Sequence, residues 1–133
     1  MILGFDPGRD KCGIAITDQQ GRVKYHQVIE SEAVISAIQA LSGQFQLELI
    51  VMGNQTTAKD WRKRLENNLS LPIIMVDERN SSLEARDRYW QMYPAQGLRR
   101  LIPLGMRLPP RPIDDIVAIL LIERYLQSLA GER

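Results

Sequence analysis

The sequence is poor in the residues that most readily advertise chemistry, with one cysteine, one histidine and only 6% aromatic content. The lone Cys12 excludes an internal disulfide and fits a reducing compartment. No apolar run approaches the roughly 18 residues of a membrane span, and the start lacks a basic region followed by a cleavage site. These absences lead us to expect a soluble, cytoplasmic protein with no membrane partner. Charge of either sign is not in excess: 17 basic residues face 16 acidic ones, a formal charge of +1. Total charge therefore argues neither for nor against nucleic acid, and the distribution has to be read instead.

What is present is enough for a core. A length of 133 residues with 44% hydrophobic content predicts one globular domain over residues 1–133. Short apolar runs at 2–5, 12–17 and 23–29 read as strands, with Asp18-Gln19-Gln20-Gly21 as a hairpin turn. Ser31 is placed to cap a helix carrying Val34, Ile35, Ile38 and Leu41 at helical spacing, with Gly43 as its stop. Residues 47–52 form a compact strand ending at Gly53. Thr57 with Asp60, and Ser81 with Glu84, have the spacing of capping boxes. The first opens a helix with a Trp61, Leu65 and Leu69 stripe that Pro72 ends, and the second opens a helix running towards Trp90. Between them residues 73–76 are a β-branched strand.

The order is a three-strand antiparallel meander followed by strands alternating with helices, which predicts an α/β fold with a mixed sheet and right-handed crossovers. Residues 93–112 carry five of the seven prolines and read as an extended insertion, not a domain boundary. The closing segment IDDIVAILLIERYL is apolar all round from 116 to 122, so a largely buried helix is expected there, with Pro112 near its first turn.

On this framework the acids fall at telling places. Asp6 ends the first strand, Asp77 and Glu78 end the strand 73–76, and Asp114 and Asp115 open the last helix. Ligands of open sheets gather beyond the carboxyl ends of parallel strands, where Asp6, Glu78 and the Asp114-Asp115 pair could meet. Two carboxylates about 5 Å apart repel by roughly 3 kcal/mol at an effective dielectric near 20, so a cluster calls for a shared cation such as Mg2+ or Mn2+. Taken singly, each acid has a structural explanation: a tight turn at Asp6, a solvated or Arg79-paired Glu78, a favourable helix start at Asp114 or Asp115.

In combination these segments resemble a known family. LGFDPGRDKCGIAITD is similar to the opening of RuvC-type members of the RNase H-like superfamily, VDERNSSLEA resembles the VDER-S/T-x-x-EA signature of the YqgF family, and IDDIVAILLIERYL resembles that family's closing helix. The Asp6-Pro7-Gly8 opening lies closer to RuvC than to the Asp-Val-Gly-Thr form of YqgF. The central strand ends Met52-Gly53-Asn54, without the acid of a RuvC resolvase, and Gly53 to Thr57 suits YqgF better. The resemblance implies an RNase H-like mixed five-stranded sheet flanked by helices. It implies Asp6, Glu78 and Asp114 as catalytic and metal-binding residues, with Asp115 as an adjacent metal-site acid. Two Mg2+ or Mn2+ ions would then serve phosphodiester hydrolysis, which needs no His, Ser or Cys nucleophile. His26, on a hairpin strand far from the acids in sequence, is expected to have an exposed structural role, and Cys12 to be a small core residue.

Charge distribution addresses the substrate. Residues 86–111 contain six arginines and one acid, interleaved with Tyr89, Trp90 and Tyr93, whereas residues 1–56 contain four basic and six acidic side chains. Arginine suits phosphate, and the aromatics could stack on unpaired bases. Trp90 also fits a core position, and Arg86 and Arg88 a solvated face. Arg9, Lys11 and Arg79 near the acids, with Arg99, Arg100, Arg107 and Arg111 on the irregular segment, are the candidate nucleic-acid contacts. The expected activity is cleavage of structured RNA such as an rRNA precursor, or of branched DNA. The alternatives are a nucleic-acid- or partner-binding module that has lost turnover, and a relative of two-lobed ATPases, which one domain of this size disfavours.

Overall fold

The computed structural model describes residues 1–54 and 57–131. Among them the chain forms five strands, β1 (Ile2–Asp6), β2 (Lys11–Thr17), β3 (Val23–Glu30), β4 (Leu49–Gly53) and β5 (Ile73–Val76). Four α-helices accompany them: α1 (Val34–Gln44), α2 (Ala58–Asn68), α3 (Ser81–Met92) and α4 (Asp114–Gly131). The sheet order is β3-β2-β1-β4-β5, antiparallel through the two hairpins and parallel where α1 and α2 carry the chain across. This is the expected RNase H-like mixed sheet.

Period-two alternation gives the sheet two buried faces. Leu3, Phe5, Cys12, Ile14, Ile16, Ile50 and Met52 point to the face covered by α1 and α2, where the Phe5 ring meets Trp61 edge-on at 5.1 Å. Ile2, Ala15 and Val51 point to the other face, covered by α4 and backed by Ala85, Tyr89 and Trp90 of α3. With sheet on one side and α3 on the other, every residue of α4 from Ile116 to Ile122 is buried. Full burial of such side chains contributes about 1.5–3 kcal/mol each. Cys12 is a buried core residue, as expected.

The face under α4 is also lined with small residues, and they set how close the helix comes. A Cβ on Gly4 would overlap the Ala118 carbonyl oxygen and the Ile122 side chain, and one on Gly13 would overlap the Asp114 carbonyl group. The start of α4 thus rests directly on backbone at the β1–β2 end of the sheet. Gly13 is the register partner of Asp6. That contact seats the first turn of α4 beside the end of β1.

Several local expectations are corrected. Neither capping box forms: Thr57 and Asn80 occupy the residue before α2 and α3, and neither makes a side-chain cap. Ser81 is instead the first, buried residue of α3, entered through Asn80 at φ 63°. Ser31 opens a short 3-10 helix, and its hydroxyl donates to the Gly8 and Arg9 carbonyls across the β1–β2 loop. Gly43 lies within α1, which runs on to Gln44, and α2 ends at Asn68, ahead of Pro72. The segment 93–112 is not wholly extended, containing 3-10 helices at Gly97–Leu101 and Leu104–Met106. No helix among the described residues is long and apolar enough to cross a membrane.

Candidate active site

β1 delivers Asp6 to the end of the central strand, where the residue is buried. Asp114, the first residue of α4, is half-buried, and its carboxyl group is hydrogen-bonded to that of Asp6. Burial pushes the Asp114 carboxyl above its ordinary range; the bond from Asp6 pulls against that shift, and the neighbouring Asp115 charge adds to it.

Glu78 approaches from the turn that follows β5. Behind β5, Asp77 accepts the Arg79 backbone N–H at 2.9 Å and the Glu78 carbonyl accepts the Ser81 N–H at 3.0 Å, making the tight turn into α3. The half-buried Glu78 side chain lies over Gly53 at the end of β4, where any Cβ would overlap its carboxylate. A glycine here, in place of a side chain, is what gives the Glu78 carboxylate its room. Asp6, Glu78, Ser81, Ser82 and Val117 together line a cavity of about 270 Å3. The structure therefore brings Asp6 against Asp114 by hydrogen bond and beside Glu78 across a cavity. Among the described residues, no group of three or more His, Cys, Asp or Glu is gathered closely enough to hold a metal ion. The part of the Gly53 to Thr57 segment formed by Gln55 and Thr56 lies outside the described residues.

Asp115 belongs to a neighbouring cluster. Its side chain, 3% exposed, accepts from His26 Nδ1 at 2.6 Å, Arg111 Nη1 at 3.0 Å, Arg111 Nη2 at 3.4 Å and the Ile116 N–H at 3.0 Å. The expectation that His26 is exposed is thus overturned: its side chain is 21% exposed and bonded to Asp115, although the two residues are distant in sequence. Sequence reasoning missed this because the two residues are 89 positions apart and meet only when α4 packs over the hairpin.

The cationic candidates divide into two groups. Arg9, Lys11, Arg79, Arg99 and Arg100 are exposed. Arg107 folds back onto the carbonyls of Ile102 and Arg100, with its guanidinium 5.9 Å from the Trp90 ring, and Arg111 is fastened to Asp115 and the Pro112 carbonyl. Trp90 and Tyr89 are core residues, so of the three interleaved aromatics only Tyr93 is exposed. Arg88 is not simply solvated, since it makes two 2.8 Å bonds to Glu123.

Comparison with known proteins agrees with this architecture. The family model described as "RuvX: Holliday junction resolvase" matches residues 1–128. Curated relatives carrying the name "Putative pre-16S rRNA nuclease" include one from Xanthomonas oryzae pv. oryzae, 26% identical over 96% of this chain and 87% of its own length. Another, from Coxiella burnetii, is 26% identical over 99% of this chain and 96% of its own, and one from Legionella pneumophila is 28% identical over 96% of each. The match runs from the first strand through nearly all of α4, takes in the opening, VDER and closing-helix segments, and bears out the YqgF/RuvC-like resemblance: the chain belongs to the RuvX family.

Proposed function

We propose that this protein is a divalent-metal-dependent nuclease that hydrolyses phosphodiester bonds in structured nucleic acid, with Asp6, Glu78 and Asp114 as its catalytic carboxylates. The observation that carries the reading is the Asp6–Asp114 hydrogen bond at the carboxyl ends of the strands, with Glu78 across the same cavity. Two acids from opposite ends of the chain meeting where Asp6 is buried and Asp114 half-buried is an unfavourable arrangement for stability alone. The donors are hard oxygens, suited to Mg2+ or Mn2+, and the space over Gly53 accommodates a carboxylate that a side chain would exclude. Metal bound there, two ions in the full reading, would supply Lewis acidity at the scissile phosphate. The chain's own part is to hold Asp6 rigidly on β1, to aim Asp114 from the glycine-seated start of α4, and to present Glu78 from the α3 turn. The family description points to branched DNA and the relatives' names to an rRNA precursor, and the latter is the first substrate to try.

The test follows metal-dependent cleavage of a labelled structured RNA and of a four-way DNA junction, with circular dichroism as a check of folding. Asp6→Asn, Glu78→Gln and Asp114→Asn should each lower the rate by roughly 10³-fold or more, and a double variant should be scarcely worse than a single, because the three act as one assembly. Folded Asp6→Asn that cuts as well as the parent overturns the assignment. One observation favours a second reading: no preformed three-residue metal group exists among the described residues. Parent protein that binds both substrates and cuts neither with Mg2+ or Mn2+ would make it a binding module.

A further inference from the structure

Two further cavities take no part in the chemistry above. The larger, about 610 Å3, lies along β3, the open edge of the sheet, and is lined by Lys11, His26, Arg111 and Asp115 among others. The second, about 420 Å3, lies between the end of α3 and the Pro-rich segment, with Tyr89, Tyr93, Ala95, Leu98 and Arg99 in its wall.

Tyr93 joins them. It lines the second cavity, while its hydroxyl is 3.4 Å from Nε2 of His26, which lines the first. The Arg111 guanidinium lies 5.4 Å from the Tyr89 ring and 5.8 Å from the Tyr93 ring, and those two rings are 5.2 Å apart. Asp115 and the Pro112 carbonyl hold Arg111 in that position, so its ordering cost is met before any ligand arrives. Asp115 is itself taken up by four donors, leaving exposed Lys11 beside Arg111 as the cations facing the cavity, with the Glu30 carboxylate at its rim.

We propose that the two cavities form one track for a single-stranded stretch of the substrate, a backbone phosphate resting against Lys11 and Arg111 and an unpaired base entering the pocket at Tyr93. Tyr93 is 42% exposed and Leu98 83% exposed, so an aromatic and an aliphatic surface stand ready on a rim that also carries Arg99. A paired base has both faces stacked and cannot use such a pocket, whereas a splayed base offers its whole π-face. The apolar wall alone would suit a peptide equally, but a peptide gives no reason for a clamped guanidinium and a lysine beside it. This inference rests on the nuclease reading and gives its substrate an unpaired flank, because Asp115 in the first cavity adjoins Asp114.

The experiment is fluorescence anisotropy in EDTA, comparing a labelled blunt RNA duplex with the same duplex carrying a single-stranded extension of about eight nucleotides. The parent should bind the extended duplex about tenfold more tightly. Tyr93→Ala should remove that preference, and Tyr93→Phe should keep it, since stacking survives loss of the hydroxyl contact to His26. Asp6→Asn should retain the preference while losing cleavage. Equal affinity of the parent for both duplexes overturns the track whatever the cleavage assay gives, as does a preference undiminished in folded Tyr93→Ala. Cleavage persisting in Asp6→Asn with the preference intact overturns the catalytic assignment instead and leaves the track standing.

Discussion

Gly53 and Gly13 are both buried strand glycines, yet the atoms that deny them a Cβ differ in kind. At Gly53 the obstacle is the Glu78 carboxylate, the far end of a flexible side chain, whereas at Gly13 it is the Asp114 backbone. Gly53→Ala should therefore leave the melting temperature nearly unchanged and displace Glu78, so that cleavage falls sharply. Gly13→Ala forces backbone apart and should destabilise by about 1–3 kcal/mol or more. Thermal melts and cleavage rates on the two variants decide the matter; Gly53→Ala with parental activity would mean that the position of Glu78 over the glycine is irrelevant to catalysis.

At the scale of elements, the β2–β3 turn is held by one carboxylate. Asp18 accepts the backbone N–H groups of Gln20 and Arg22 at 2.9 Å each and the Arg22 Nε–H at 2.7 Å. The Arg22 backbone bond first, and then the Arg22 side chain and Gln20, hold its carboxyl below the ordinary carboxylate range. A folded-state value lower than the unfolded one means that the stabilisation is fully present above the unfolded value. It is lost as pH falls through the lower folded value. Asp18→Ala should then lower the melting temperature at neutral pH and make little difference once the medium is acid enough to protonate Asp18 in the folded parent. An equal loss at both pH values would place the effect in turn shape, not in charge.

For the whole molecule, the exposed cations include Arg9 in the β1–β2 loop, Lys11 at the start of β2, and Arg99 and Arg100 on a 3-10 helix. Phosphate contacts at such residues release counterions, so affinity for nucleic acid should fall with rising salt. Replacing Arg99 and Arg100 by Ala should flatten the log–log slope by about 0.7 to 0.9 per lost contact. Titrations at several salt concentrations test this, and an unchanged slope would make the segment a solvated surface. Arg107 is a poor choice for the same test, since it holds the segment together through the Ile102 and Arg100 carbonyls and its loss would change shape as well as charge.

Much of this was legible in the chain itself. Alternation in β1, β2 and β4, the apolar run of α4 and the β-α order together specify a mixed sheet with two covered faces, because side-chain period and burial are local consequences of backbone geometry. The positions of Asp6, Glu78 and Asp114 at element ends were readable for the same reason. What the sequence could not supply was distance. The capping boxes had the right spacing, but Asn80 entered a left-handed conformation and the Ser31 hydroxyl found carbonyls in another loop, since tertiary partners compete with local ones for each polar group. The pairing of His26 with Asp115, the seating of Arg111 against Tyr93 and the meeting of Asp6 with Asp114 were decided only by α4 settling onto the small residues of the sheet. Contacts across that span depend on close approach of backbones, which no local pattern encodes.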